Sequence, residues 1–102
     1  MLELRPTCEH CNRALPPAAV DARICSFECT FCATCVEHVL DNVCPNCGGG
    51  FVARPIRPAK NWRGDNCLAN YPASTHVRHR VVDPIDHEAF AGSIKLVPPE
   101  LR

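Results

Sequence analysis

Eight cysteines between Cys8 and Cys47, spaced C-x2-C-x13-C-x3-C-x2-C-x2-C-x8-C-x2-C, constrain this chain more than any other feature. Zinc takes four thiolate or imidazole ligands in a tetrahedron, and a tight C-x2-C turn presents two sulfurs to one ion while its backbone amides point at them. Four closely spaced pairs therefore supply two ions. Composition points the same way. Nine of the 102 residues are cysteine, and the first half has few large side chains to pack. A chain this lean needs a covalent or metallic substitute for a core.

The choice between disulfides and metal turns on redox compartment. Met1-Leu2-Glu3-Leu4-Arg5-Pro6-Thr7-Cys8 carries no apolar h-region and no small-residue cleavage site. No stretch approaches the roughly 18 to 20 apolar residues of a membrane span. The expectation is a cytoplasmic protein with reduced thiols, an odd ninth one at Cys67, and no membrane partner. A thioredoxin-like redox pair is disfavoured because no βαβ pattern surrounds any C-x2-C unit. Iron is the minor alternative to zinc, since Cys44-Pro45-Asn46-Cys47-Gly48 resembles the knuckle of rubredoxins as well as that of zinc ribbons.

Geometry limits which cysteines share an ion. Cys35 to Asn42 has helical character, with Val36, Val39 and Leu40 on one face, and seven or eight helical residues advance the chain by roughly 10 to 12 Å. With Zn–S near 2.3 Å, the tetrahedron edge is only about 3.8 Å. Cys32/Cys35 and Cys44/Cys47 should therefore serve different ions, which leaves two interleaved pairings. A hairpin over Ile24 to Phe31, with Cys25 and Cys29 at its start and turn, favours joining Cys8 and Cys11 to Cys32 and Cys35.

Cys29-Thr30-Phe31-Cys32-Ala33-Thr34-Cys35-Val36 followed by Cys44-Pro45-Asn46-Cys47 resembles the RING cross-brace, with Cys29 where most RING domains place histidine. That resemblance implies site one from Cys8, Cys11, Cys32 and Cys35, and site two from Cys25, Cys29, Cys44 and Cys47. It also implies a small α+β zinc-binding domain of treble-clef type with a short hairpin and one short helix. A longer resemblance, through Leu2-Glu3-Leu4-Arg5-Pro6, Asp21-Ala22-Arg23-Ile24-Cys25-Ser26-Phe27-Glu28-Cys29, Arg54-Pro55 and Tyr71-Pro72-Ala73-Ser74-Thr75, is to a bacterial family of short cysteine-rich proteins, domain-of-unknown-function family twelve-seventy-two. It brings no activity with it.

The cysteine-dense part ends at Gly48-Gly49-Gly50, and Phe51-Val52 is expected to add an edge strand. The division is a two-zinc domain over 1–53, a basic proline-containing linker over 54–82, and a C-terminal amphipathic helix and tail over 83–102. Asp83 suits a cap and Pro84 the first helical position, and Phe90, Ile94 and Val97 recur at one-face spacing before Pro98-Pro99. Net charge is zero, but residues 1–53 hold six acids against three bases and residues 54–102 five against eight.

Neither site keeps a position open for water, as catalytic zinc requires, so the chain is expected not to be an enzyme. A RING-type ubiquitin ligase is disfavoured by His10, where ligases place an apolar residue, and by Gly48, where many place arginine. His10, His38, His76, His79 and His87 are read as solvated, and Cys67 as a spare thiol. Nucleic acid is the alternative partner, through Arg54, Arg57, Lys60, Arg63, Arg78 and Arg80 with Trp62 and Tyr71 for stacking. A solvated tether is the plainer reading of that segment. The leading expectation is a structural zinc module, biological role unknown, that binds another protein.

Overall fold

Three short strands and a helix gather around the cysteines in a computed structural model that describes residues 1–102. Strand β1 (Ala22–Ile24) pairs antiparallel with β2 (Thr30–Cys32), placing Ala22 opposite Cys32 and Ile24 opposite Thr30. Between them Cys25 N–H donates to the Cys29 carbonyl at 3.2 Å and Glu28 N–H to Cys25 at 3.0 Å, so the expected hairpin closes with Cys25 and Cys29 at its neck. Glu28 turns the chain there with φ 67°, a conformation uncommon outside glycine.

Strand β3 (Val52–Ala53) adds to the other side of β1, giving the order β2-β1-β3 and the edge strand that Phe51-Val52 led one to expect. Helix α1 (Ala33–His38) leaves β2 with Cys32 as its N-cap. It starts two residues earlier than the sequence indicated and ends sooner. Asp41 and Asn42 adopt φ of 51° and 57°, and Asn42 N–H bonds back to the Val36 carbonyl at 3.0 Å. That left-handed exit stops the helix and reverses the chain toward Cys44.

The core is thin, with 21 of 102 residues buried and principal extents of 45 × 27 × 18 Å. Leu15, Phe31 and Leu40 are sealed within it, and six of its eleven clustered residues are cysteine. Phe31 meets Phe51 edge-on at 5.5 Å.

Residues 54–82 form neither helix nor strand, yet they lie bound along the front half. Ser74 N–H donates to Leu4 at 3.0 Å, Arg80 N–H to Glu9 at 2.7 Å, and Val82 N–H to His10 Nδ1 at 2.9 Å. The solvated tether is in this respect a strap, one that doubles back on itself where Leu68 N–H donates to the Pro58 carbonyl at 2.9 Å. Arg57 ties its start down, donating to Leu2 at 2.8 Å and Tyr71 at 2.6 Å.

Helix α2 (Pro84–Ala91) begins where the sequence placed it, with the Asp83 carboxylate accepting from Ile85 N–H and Asp86 N–H. It buries His87 and Ala91 rather than the Phe90, Ile94 and Val97 face. The helix stops at Gly92, where a Cβ would come within 2.9 Å of the Glu88 carbonyl, and Ile94 falls in a following 3-10 turn (Ile94–Leu96). His87 is accordingly not solvated: it is 5% exposed and its Nε2–H reaches the Leu40 carbonyl at 2.9 Å. A last 3-10 turn (Pro99–Leu101) brings Arg102 to the carbonyls of Asn42 and Gly48 at 2.7 and 3.3 Å.

Candidate metal centres

Two knuckles of the same construction present the first and last cysteine pairs. In one, Cys8 N–H donates to Arg13 at 2.9 Å and Asn12 N–H to Cys8 at 3.0 Å; in the other, Cys44 N–H donates to Gly49 and Gly48 N–H to Cys44, both at 2.8 Å. Each turn needs a left-handed residue just after its second cysteine, supplied by Asn12 at φ 62° and Gly48 at φ 78°. Asparagine and glycine are the residues that bear that conformation most readily. The C-x2-C-[Asn/Gly] pattern marks both turns in the sequence.

The structure brings Cys8, Cys11, Cys32 and Cys35 together, all four sulfurs within 4.8 Å of one another. Cys11 Sγ and Cys32 Sγ stand 3.9 Å apart, close to the edge of about 3.8 Å in a zinc–thiolate tetrahedron and nearly twice the roughly 2.05 Å of a disulfide. No two of the nine cysteines are joined.

The other group consists of Cys25, Cys44 and Cys47, again within 4.8 Å of one another. Cys29 falls outside that mutual limit. Its sulfur accepts from Asn46 Nδ2 at 3.4 Å, which keeps it beside the second knuckle. Phe27 N–H and Gly49 N–H point at the sulfurs of Cys25 and Cys47 at 3.3 and 3.4 Å. The two groups interleave along the chain in cross-brace order, with α1 and the turn after it between Cys35 and Cys44. Cys67 belongs to neither group and is buried elsewhere.

The electrostatics fit a cation. Burial pushes the thiols of Cys8, Cys29, Cys35 and Cys44 up, and neighbouring sulfurs push Cys35 and Cys44 further. Desolvation acts upward on Cys11 as well, but the Arg13 N–H and the thiols of Cys8, Cys35 and Cys32 outweigh it and hold that thiol low. Crowded buried sulfurs resist becoming anions unless a positive charge sits among them, and a divalent ion is the charge that four converging thiols accommodate.

Two buried polar residues frame the first group, and neither was singled out by the sequence in this role. Glu9, within the first knuckle, takes Arg5 Nη1 at 2.9 Å and the Thr30 amide on β2, joining the knuckle to the hairpin. Arg54 is 3% exposed and its guanidinium donates to the carbonyls of Arg5, Leu15 and Pro16 at 2.9 to 3.1 Å. Arg54 is thereby withdrawn from the expected basic surface, and the half-buried Arg57 spends its guanidinium on the Leu2 and Tyr71 carbonyls.

The family model described as protein of unknown function (DUF1272) matches residues 1–57, a span that takes in both knuckles, the hairpin, α1 and Arg54. An uncharacterized protein of Rhizobium meliloti (strain 1021) is 59% identical over 75 residues, covering 74% of this chain and 82% of that protein. No solved structure matches the chain. The family match over more than half of the sequence, with the high identity of the relative, places the chain in the DUF1272 family.

Proposed function

We propose that this protein is a two-zinc structural module whose metal-held front serves as a binding surface for another protein. The observation that carries the metal part is the convergence of Cys8, Cys11, Cys32 and Cys35 within 4.8 Å. Cys25, Cys44 and Cys47, completed by Cys29, form the second centre. Zinc suits a closed all-thiolate set; iron is the alternative, and its coloured ferric–thiolate spectrum distinguishes it. Four sulfurs on each ion leave no position for water or substrate, so the metal supports shape and not chemistry. Thiols held reduced for this purpose accord with a cytoplasmic location.

A protein partner is favoured over nucleic acid because, of the six basic residues of the strap, Arg54 is buried and Arg57 is spent on backbone carbonyls. Lys60 also lies over the Trp62 ring at 5.9 Å, engaging that aromatic face within the chain. Native mass spectrometry of freshly purified protein should find two zinc ions per chain. Cys35→Ser and Cys47→Ser should each leave at most one, and Cys67→Ser should leave both. Cystine-linked protein without metal would end this reading. Association with native partners that disappears on nuclease treatment and falls steeply with salt would replace the protein partner by nucleic acid.

A further inference from the structure

Between the second knuckle and helix α2 lies a cavity of about 340 Å³, walled by Phe31, Pro45, Val82 and Phe90 and lined by Asn46, Asp86 and His87 among others. Its side chains offer more free acceptor groups than cationic ones. His87 is 5% exposed, and because Nε2 is bonded to a carbonyl, which only accepts, that nitrogen carries the proton. In the neutral ring Nδ1 is then an acceptor, and it has no partner in the chain. The His87 side chain lines this cavity.

Asn46 donates one amide N–H to Cys29, which leaves Oδ1 as an acceptor and the second N–H as a donor. Asp83 uses Oδ1 to cap α2, occupying the helix's own free donors, and retains Oδ2. Asp86 makes no side-chain ion pair. Glu9 is already matched by Arg5. Against these acceptors stands one cation, Arg80, exposed on the rim and in no ion pair.

We propose that this cavity receives the guanidinium of an arginine side chain presented by a partner protein. This rests on the protein-binding reading above and names the chemistry of the contact. A cavity whose free carboxylates, Asp83 and Asp86, outnumber its free cation, Arg80, calls for a cationic donor. A bare metal ion is disfavoured because the groups that bring three or more ligand atoms within 4.8 Å of one another are the two thiol sets, and Asp83, Asp86 and His87 are in neither. Acceptors spread over a cavity suit a planar fork of five N–H donors better than a compact ammonium, and Phe90 adds an aromatic side chain to the lining. The volume lies at the bottom of the range of about 300 to 1,000 Å³ usual for ligand sites, room for one side chain.

The test uses the full-length chain as purified, followed by ¹⁵N NMR during titration with N-acetyl-arginine amide and with a Gly/Ser pentapeptide carrying one arginine. Shifts of the His87 ring nitrogens and of the Asn46 side-chain amide are expected with both, larger at equal concentration for the peptide. The citrulline analogue, isosteric but uncharged, should leave them still. Asp86→Asn, on the surface and harmless to folding, should weaken binding roughly tenfold, the loss of one charge-assisted bond. Arg80→Gln should strengthen it. No shift at millimolar arginine, equal shifts with citrulline, indifference to Asp86→Asn, or displacement of arginine by Mg²⁺ at the same nuclei would each overturn the proposal. Zinc counted on the same samples separates two failures: absent arginine binding with two ions bound overturns this inference alone, while missing ions count against the metal reading whatever the titration gives.

Discussion

At the scale of single residues, positions outside the cysteine pattern decide whether the knuckles close. Gly48→Ala has room, since its Cβ would meet Phe90 and Ile94 only at 3.7 Å, but φ 78° penalises any side chain. The expected cost is about 1 to 2 kcal/mol in urea unfolding of the metal-saturated protein. Asn12→Gly should be tolerated at no comparable cost. Arg54→Met leaves the Arg5, Leu15 and Pro16 carbonyls without their donor and should destabilise the front by about 1 to 3 kcal/mol per acceptor left unsatisfied. Arg54→Lys should recover only part of this, because one ammonium does not reproduce the geometry of the guanidinium fork. Glu3 supplies a pH test. The Arg5 hydrogen bond at 2.6 Å holds its carboxyl below the ordinary 4.5. A depressed folded value adds stability that is complete above about that pH and fades as pH falls through the lower value. The stability gap between wild type and Glu3→Gln should therefore be constant above pH 5 and close on acidification, as read from paired thermal melts.

At the scale of elements, capping and turn chemistry were legible and packing partners were not. Asp83-Pro84 announced the start of α2 because a cap and an N1 proline act within four residues. Asp83→Ala should cost about 0.5 to 2 kcal/mol, seen as faster amide exchange confined to α2 and the strap beside it. Which face α2 buries was not legible. Phe90, Ile94 and Val97 look like the inner face, but Gly92 breaks the helix between them, and the buried positions are His87 and Ala91 because Leu40 offers a carbonyl there. The three apolar residues instead line one shallow groove with Gly48 and Leu101. Helix α1 shifted for a similar reason: Val36, Val39 and Leu40 gave its apolar face, while its end was set by left-handed Asp41 and Asn42, whose role emerges only where the chain must turn back to the second knuckle. Phe31→Ala, on β2 and 1% exposed, should cost about 3 to 5 kcal/mol by the same melts.

At the scale of the whole molecule, a sheet of three short strands and an 18 Å thickness leave little apolar volume. Structural zinc supplies apparent binding free energies of about 10 to 16 kcal/mol at neutral pH. Chelation should therefore unfold the front half and release the strap and α2, which are held by its carbonyls. Circular dichroism and amide exchange after EDTA treatment check this; a folded front with no metal would refute it. The sequence by itself determined the hairpin, the cap of α2 and the division of the cysteines about α1, because these depend on spacing, on backbone conformations few residues tolerate and on distances no helix can shorten. Only the tertiary structure decided that the proline-spaced segment is bound, that Arg54 and His87 lie inside, and that a cavity opens beside the second knuckle. Those outcomes depend on carbonyls and amides that every residue carries alike, so a sequence does not mark which of them will find a distant partner.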